Sequence, residues 1–368
     1  MSALDVAPTD APSPAAGFVA RFDGPRPGAA LPAPRGPLSA LLLETLTSRV
    51  AAPSSEHLAA AAERAAHEPD DLARDEDAQL SLFLLYASHY GSLPGIDARH
   101  EWNPGIIAAR GVLERRFEGD LRERVEVPEA PEPTRDAVAA ALFALTAPIP
   151  GPSLSRFVAK KATLAQVREF LIHRSVYTLR EADPHSWAIP RLRGVPKAAL
   201  VEIQADEYGG GDPVRMHAAI FARTLRGAGI DDRYGAYLDH IPATTLASLN
   251  MMSMFGLNRR LVGAIVGHLA AFEMTSSLPN RSYGEGFWRL GFGPAVTEYF
   301  DEHVEADAVH EQIAGRDLAG SLAEQDPALL PDILFGAAAC LTVDEWGADD
   351  MLSAFEEGRS SLREPLVP

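Results

Sequence analysis

Residues 301–311 read DEHVEADAVHE, and their spacing predicts both a helix and a ligand set. Successive residues on an α-helix are about 100° apart. His303, Asp307 and His310 therefore fall on one face, one above the next. Each of them can offer a lone pair to the same region of space, and most of the flanking residues are acidic. The stretch indicates either a chance spacing or a helix that carries metal ligands on its inner face.

Most of the remaining chain is also predicted to be helical. From Leu38 onward, apolar residues recur at helical spacing, clear strand alternation is absent, and no internal repeat is found. Thr163 is expected to cap one helix, and Asp212 with Pro213 to start another. The fold class is therefore all-α. The expected divisions are a disordered Pro/Ala-rich tail (1–37), an N-terminal helical segment packing on the bundle (38–126), a Pro-rich linker with a short helix (127–152) and the main helical bundle (153–360).

Composition limits the classes of partner. Apolar residues make up 46% of the 368 residues, and the formal net charge is −18, which argues against a nucleic-acid or anionic-membrane surface. The single cysteine, Cys340, excludes an intrachain disulfide and a thiolate metal cage, and suits a cytoplasmic location. The N-terminus does not resemble a secretion signal. We find no apolar run that would span a bilayer, so no membrane contact is expected.

Several acidic residues lie on the apolar side of their predicted helices. Glu181, for example, is in register with Phe170 and Tyr177, and Glu273 is in register with Val266 and Leu269. Three histidines share this inward placement. The seven inward residues are Glu181, Glu207, His217, Glu273, His303, Asp307 and His310. For any one of them alone, a structural role is the simpler interpretation, and Arg174 shares the face of Glu181 as a candidate ion-pair partner. Together, seven donors on five helical stretches favour a shared site.

The charge of these residues points to metal ions. Burying an ionised carboxylate without a partner costs several kcal/mol. Four inward carboxylates would also repel each other, whereas two divalent cations balance their charge. Oxygen and imidazole donors without thiolate suit iron or manganese, and imidazole also accepts zinc or copper.

Other polar residues are expected to lie outside this site. Asp183 and His185 flank Pro184 near a helix end, where they would cap the helix or support the ligands from outside. Asp206 is turned well away from Glu207 on its helix, and His268 lies about 140° from Glu273, so it is expected to pack elsewhere. The chain has neither a phosphate-binding loop nor a nucleophile elbow.

The order of the seven residues resembles a known family. Glu181 is followed by Glu207, by His217 ten residues later, by Glu273, and then by His303-x3-Asp307-x2-His310. This pattern resembles the heme-oxygenase-like di-iron oxidases, which are also called iron-containing redox enzymes. The resemblance is strong over residues 153–314 and extends more weakly to LSLFLLYASHYGSLPGIDARHEWNPG. It implies a heme-oxygenase-like helical bundle with an N-terminal helical extension.

The resemblance also implies chemistry. Family members activate dioxygen at a pair of irons (Fe2+/Fe3+) with electrons from an external donor. Their small-molecule substrates undergo N-oxygenation, desaturation or C–C cleavage, here expected in secondary metabolism. Glu273 or Glu207 would bridge the metals as catalytic residues. His217 would bind one iron, and His303, Asp307 and His310 the other.

Three alternatives remain open from the sequence. The same ligands could hold zinc or manganese in a dinuclear hydrolase that needs no dioxygen. The chain could be a non-catalytic helical accessory protein. A heme-binding member of the wider fold would need one proximal histidine and little acid, which four inward carboxylates disfavour. Whether the chain forms a homodimer is left open.

Overall fold

The computed structural model describes residues 28–48 and 55–366, with the backbone alone for residues 55 and 305–309. Within these residues every regular element is helical, which confirms the all-α class. The α-helices are α1 (Pro37–Thr47), α2 (Ser55–His67), α3 (Glu76–Tyr90), α4 (Pro104–Arg124), α5 (Arg135–Leu145), α6 (Leu154–Lys160), α7 (Leu164–Thr178), α8 (Ala182–Ser186), α9 (Gly194–Glu207), α10 (His217–Gly227), α11 (Ala243–Leu257), α12 (Val262–Arg289), α13 (Pro294–Gln312), α14 (Ser321–Gln325) and α15 (Leu330–Glu356); a π-helix, Ile313–Gly320, follows α13.

Two long helices, α12 and α15, form the centre of the bundle. They approach so closely that a methyl group on Gly267 would lie 1.8 Å from the carbonyl oxygen of Ile333. A methyl group added to Gly336 would likewise lie 2.0 Å from the carbonyl oxygen of Ala264. Helix α13 also packs against α12, and α10 packs against α13. These contacts place the helices that carry the acidic and histidine residues around one interior.

Both central helices are long and apolar enough to cross a membrane by length and composition. The two segments found within the described residues are Arg259–Arg289 and Pro327–Glu356. The prediction that no apolar run in the chain is long enough to span a bilayer is therefore wrong by length and composition. Over half of the apolar 18-residue window in each segment is buried inside the protein, 61% and 56% respectively, and the core helices of a globular bundle meet the same criterion. The two segments are weak evidence for a membrane.

The start of the chain differs in part from the expected disordered tail. Residues 1–27 lie outside the described residues. Residues 28–36 pack on the bundle, because the Ala29 amide donates to the carbonyl of Tyr234 (2.9 Å) and the Ala33 amide donates to Asp239 Oδ1 (2.8 Å). Composition alone does not reveal such hydrogen bonds to distant residues.

Helix boundaries show one confirmed and one wrong prediction. Thr163 caps α7 as expected, with its side chain accepting from the amide of Gln166. Helix α10, however, begins at His217 rather than at Pro213. The side chain of Asp212 accepts from the amide of Val214 instead, which closes a local turn and delays the helix by four residues.

Candidate metal centre

A tight chain reversal brings Glu207 and His217 together. Glu207 is the last residue of α9, and His217 is the first residue of α10. Gly209, Gly210 and Gly211 between them all have positive φ (72°, 61° and 90°), a conformation that favours glycine. The reversal places His217 Nδ1 3.0 Å from Glu207 Oε2. Residues that are ten apart in sequence thus become neighbours at the site.

Glu181, His217 and His303 form a first triad. One potential ligand atom from each residue lies within 4.8 Å of those of the other two. Glu181 Oε1 is 3.7 Å from His303 Nε2 and 3.9 Å from His217 Nδ1. All three residues are buried, with 5% or less of their surface exposed. Three elements contribute to this triad, namely the turn before α8, the start of α10 and the middle of α13.

Glu207, Glu273 and His310 form a second triad by the same criterion. Glu273 lies in α12, and its Oε2 is 3.4 Å from His310 Nδ1 on α13. Glu207 belongs to this triad but also approaches His217 of the first one. Glu207 therefore joins the two triads into one continuous centre.

The grouping of the histidines differs from the expectation. His303 lies with His217 and Glu181, whereas the sequence suggested that it shares a metal with His310. The two histidines of α13 do share a face, but seven residues separate them by roughly 10 Å along a helix axis. A shared face therefore places them at different depths in the bundle. The Asp307 side chain lies outside the described residues, so its role as a ligand stays a prediction.

Tyr299 holds the first triad from outside. Its hydroxyl donates to Glu181, at 2.9 Å from Oε2 and 3.2 Å from Oε1. Its backbone carbonyl accepts from His303 Nδ1 at 2.7 Å, which leaves Nε2 of that ring facing Glu181. Sequence register did not identify Tyr299 as a site residue, because its hydroxyl contacts Glu181 from another part of the chain. A hydrogen-bonded outer partner is what orients a metal-binding histidine.

Asp206 holds the second triad in the same way, although the sequence placed it away from the site. Its Oδ2 lies 3.0 Å from His310 Nε2, so the other ring nitrogen, Nδ1, faces Glu273. The Asp206 side chain is 63% exposed and sits at the rim of the centre. The position of Asp206 around α9 could not predict this contact, because His310 belongs to another helix, α13.

His185 and His268 form a buried pair beside the centre. His185 Nε2 and His268 Nδ1 are 3.2 Å apart, and His185 Nδ1 lies 3.3 Å from the carbonyl oxygen of Glu181. Burial lowers the pKa of His185 to about 4, so both its ring and that of His268 are neutral at physiological pH. His185 therefore supports the ligands from outside, as expected, and His268 joins it there.

The donor atoms of the centre fit a bound cation. Glu207 Oε2, His217 Nδ1 and His310 Nδ1 are buried and have no hydrogen-bond partner among the described residues, since the close contacts of these atoms are not aligned as hydrogen bonds. Glu207 Oε2 and His217 Nδ1 are charged neighbours at 3.0 Å, and His310 Nδ1 has Glu273 Oε2 at 3.4 Å, so each atom lacks only an aligned hydrogen bond. A cation bound by these atoms would replace that missing bond. Oxygen and imidazole donors in this combination suit iron or manganese.

The electrostatics of the centre also favour positive charge. Burial would lower the pKa of His217, but the carboxylate of Glu207 outweighs it and raises the pKa to about 9. Burial likewise opposes the charge of His310, but Glu273 raises its pKa to about 9. Without a metal ion, each histidine therefore carries a proton near neutral pH, and its positive charge balances the neighbouring carboxylate. The same carboxylates would attract divalent cations.

Three cavities border the centre. A small one lies among the ligands and is also lined by Tyr177, Leu269 and Phe272. A cavity of about 420 Å³ is bounded by Glu181 and Glu207 on one side. A third, of about 510 Å³, shares Tyr177, Phe272 and Ser276 with the small cavity.

Comparison with solved structures gives weak similarities at low sequence identity. One is a CADD-like protein of unknown function from Nostoc punctiforme PCC 73102, 15% identical, with a TM-score of 0.47 over 60% of this chain and 97% of that one. Another is a domain of unknown function with a heme oxygenase-like fold from Shewanella denitrificans OS217, 16% identical, with a TM-score of 0.45 over 63% of this chain and 96% of that one. No curated protein matches the chain.

Comparison with protein families gives a direct match. Residues 168–345 match the family described as iron-containing redox enzymes. The matched segment contains every residue of both triads, and α1 to α6 precede it as an N-terminal helical extension. The family predicted from the order of the seven residues is thereby confirmed. The match assigns residues 168–345 of the chain to the iron-containing redox enzyme family.

Proposed function

We propose that this protein is a non-heme di-iron oxidase or oxygenase that uses dioxygen to oxidise a small organic substrate. The observation that carries the proposal is the pair of adjoining buried triads, with three donor atoms that lack hydrogen-bond partners among the described residues. Membership of an iron-containing redox family supports iron as the metal. When bound, a pair of reduced irons supplies the electrons and open coordination positions that dioxygen activation requires.

Each triad would hold one iron. Glu181, His217 and His303 would bind the first, and Glu207, Glu273 and His310 the second. Glu207 is the better placed of the two candidate bridging residues, because it belongs to the second triad and contacts His217 of the first. Asp307 remains a candidate for a further ligand. Three donors per metal leave positions free for dioxygen and substrate.

Several residues would prepare the centre for this chemistry. Tyr299 orients Glu181 and fixes which nitrogen of His303 faces inward. Asp206 does the same for His310. Leu269, Phe272 and Tyr177 line the small cavity at the ligands and limit the access of bulk water. This is the contribution expected of the protein in cofactor chemistry, namely to orient, shield and tune.

The remaining parts of the proposal come from the family resemblance. The substrate would undergo N-oxygenation, desaturation or C–C cleavage, in secondary metabolism, and an external donor would supply the reducing electrons. The charge of −18 argues against nucleic acid as a partner. A cytoplasmic location suits ferrous iron and the single cysteine.

The test is metal loading and reaction with oxygen. Protein loaded anaerobically with Fe2+ should bind two irons per chain by elemental analysis, and should consume oxygen with a change in its visible spectrum on exposure to air. Glu273→Ala should lose both the second iron and the oxygen consumption, because Glu273 belongs to the second triad. Glu298→Gln is the matched control, since Glu298 lies on the surface and pairs with Arg223 (3.0 Å).

Three results would contradict the proposal. Protein that binds two irons but consumes no oxygen with any reductant or substrate is not an oxidase. Protein that hydrolyses substrates anaerobically with zinc or manganese would support the dinuclear hydrolase instead. Failure to bind any metal would favour a non-catalytic helical protein.

A further inference from the structure

The 510 Å³ cavity lies directly beside the candidate metal centre. It is enclosed mainly by α7, α11, α12 and α15. Its wall towards the metal ligands consists of Tyr177, Phe272 and Ser276, which also line the small cavity at the ligands. Phe272 directly precedes Glu273, and Tyr177 stands one helical turn before Glu181. A molecule in this cavity would therefore contact residues that pack against the metal ligands.

Arg174 brings a positive charge into this cavity. Among the described residues, it has no carboxylate within 4.0 Å, and its buried Nε has no hydrogen-bond partner. Arg174 forms no ion pair with Glu181, the candidate partner on its helix face, and Glu181 accepts hydrogen bonds from the Tyr299 hydroxyl. The guanidinium lies 5.8–6.0 Å from the ring centres of Phe170, Tyr177 and Tyr283. A half-buried cation with aromatic neighbours and no ion-pair partner is costly unless a ligand supplies the anion.

Three other polar groups of the same cavity also lack partners. Tyr177 Oη, Asn280 Oδ1 and His268 Nε2 are buried and have no hydrogen-bond partner among the described residues. Each would cost about 1–3 kcal/mol if it stayed unpaired. Four such groups around one cavity indicate a site that is built to receive a polar molecule.

The acidic groups of the cavity form no ion pair with Arg174. Asp344 accepts a hydrogen bond from Ser248 Oγ at 2.6 Å, and desolvation raises the pKa of its carboxyl group, although the charge of Arg174 partly opposes that rise. Glu345 is exposed to solvent. His173 is held neutral between Thr245 (2.7 Å) and Ser361 (3.1 Å), with its pKa lowered to about 4 by burial. Arg174 is thus the group available to bind an anion.

We infer that the substrate carries a carboxylate, which Arg174 binds inside this cavity. A guanidinium matches the geometry of a carboxylate and can donate two parallel hydrogen bonds to it. The apolar body of the substrate would lie against Phe170 and Tyr283 and extend to the Tyr177–Phe272 wall. The role of this molecule as the oxidised substrate rests on the proposed function, whereas its binding does not.

The test is calorimetric binding of three probes with one carbon skeleton. The probes are 3-phenylpropanoate, 3-phenylpropanamide and 3-phenylpropylamine, which differ only in the charge and geometry of one end. Titrations use the full chain, both metal-free and zinc-loaded. The carboxylate should bind more tightly than the amide by about tenfold or more, as a charge-assisted pair requires. Arg174→Gln should remove this preference, and Arg174→Lys should retain part of it.

Arg168→Gln is the matched control. Arg168 lies on the same helix, but its Nε donates to the carbonyl of Ala228 at 3.0 Å and it does not line the cavity. This variant should keep the preference for the carboxylate. Circular dichroism of each variant checks the fold, and Arg174→Lys keeps the test decisive if the glutamine variant does not fold.

Three results would overturn the inference. These are equal affinity for carboxylate and amide, a preference that survives Arg174→Gln, and no binding of the carboxylate to the wild-type protein. The measurement needs neither iron nor oxygen. A protein that binds the carboxylate but consumes no oxygen would therefore contradict the proposed function alone.

Discussion

Asp206 lies on the solvent side of His310, with 3.0 Å between Oδ2 and Nε2, and so orients a ring that faces Glu273 on its other side. Asp206→Asn should weaken binding at the second triad by about 10- to 100-fold, because an outer carboxylate aligns a metal-binding histidine and makes it more basic. The measurement is a competitive metal titration monitored by elemental analysis.

The control for this variant lies on the same helix. Glu202 is an exposed residue of α9, and Glu202→Gln should leave metal affinity unchanged. Unchanged affinity in Asp206→Asn would mean that the contact with His310 has no part in metal binding.

Asp307 is predicted to contribute a further ligand from α13. Asp307→Asn should lower metal content by up to one ion per chain, since an amide oxygen binds cations more weakly than a carboxylate. Asp301→Asn is the control on the same helix, because Asp301 Oδ2 accepts from Thr297 Oγ1 at 3.0 Å on the helix surface. Elemental analysis measures the metal content of both variants. Full metal occupancy in Asp307→Asn would show that Asp307 is not a ligand.

His173 is expected to make the protein less stable in acid. Burial lowers the pKa of its ring to about 4, below the ordinary value of 6.5. Between these values the unfolded chain takes up the proton and the folded protein does not, so stability falls as the pH falls through this window. For this one residue the loss is about 2 kcal/mol at pH 5 relative to pH 7.

Replacing the ring tests this directly. His173→Gln keeps a hydrogen-bonding side chain near Thr245 and Ser361 but cannot take up a proton. Urea unfolding at pH 7 and pH 5 should show a smaller decrease in stability for the variant than for the wild type. Parallel decreases in both proteins would show that His173 is not responsible.

Gly267 is expected to be essential for the contact between α12 and α15. A methyl group there would lie 1.8 Å from the carbonyl oxygen of Ile333, so Gly267→Ala should lower stability by about 3 kcal/mol or more. Gly119 in α4 is the control, because no atom outside its own helix lies within 4 Å of an added methyl group. Gly119→Ala should raise stability by about 0.5–1 kcal/mol through helix propensity. Thermal unfolding of both variants measures the difference, and a mild effect at Gly267 would mean that the helices can separate.

The all-α class and the inward register of the site residues could be predicted from the sequence. Both depend on the helical period, which spacing along the chain determines locally. That is why Glu181, Glu273, His303 and His310 were recognised as residues that share an interior. The same reasoning identified the family, because the order and spacing of these donors are features of the chain itself.

Tertiary structure alone decided how these residues combine. The two histidines of α13 belong to different triads because they lie two turns apart on the helix, where different residues of neighbouring helices contact them. Asp206 and Tyr299 have their roles because residues on other helices contact them, and the candidate ion pair between Arg174 and Glu181 does not form. The rotation and offset between helices depend on close contacts such as that of Gly267 with Ile333. Such contacts join residues that are far apart in sequence, so the local periodicity of the sequence cannot predict them.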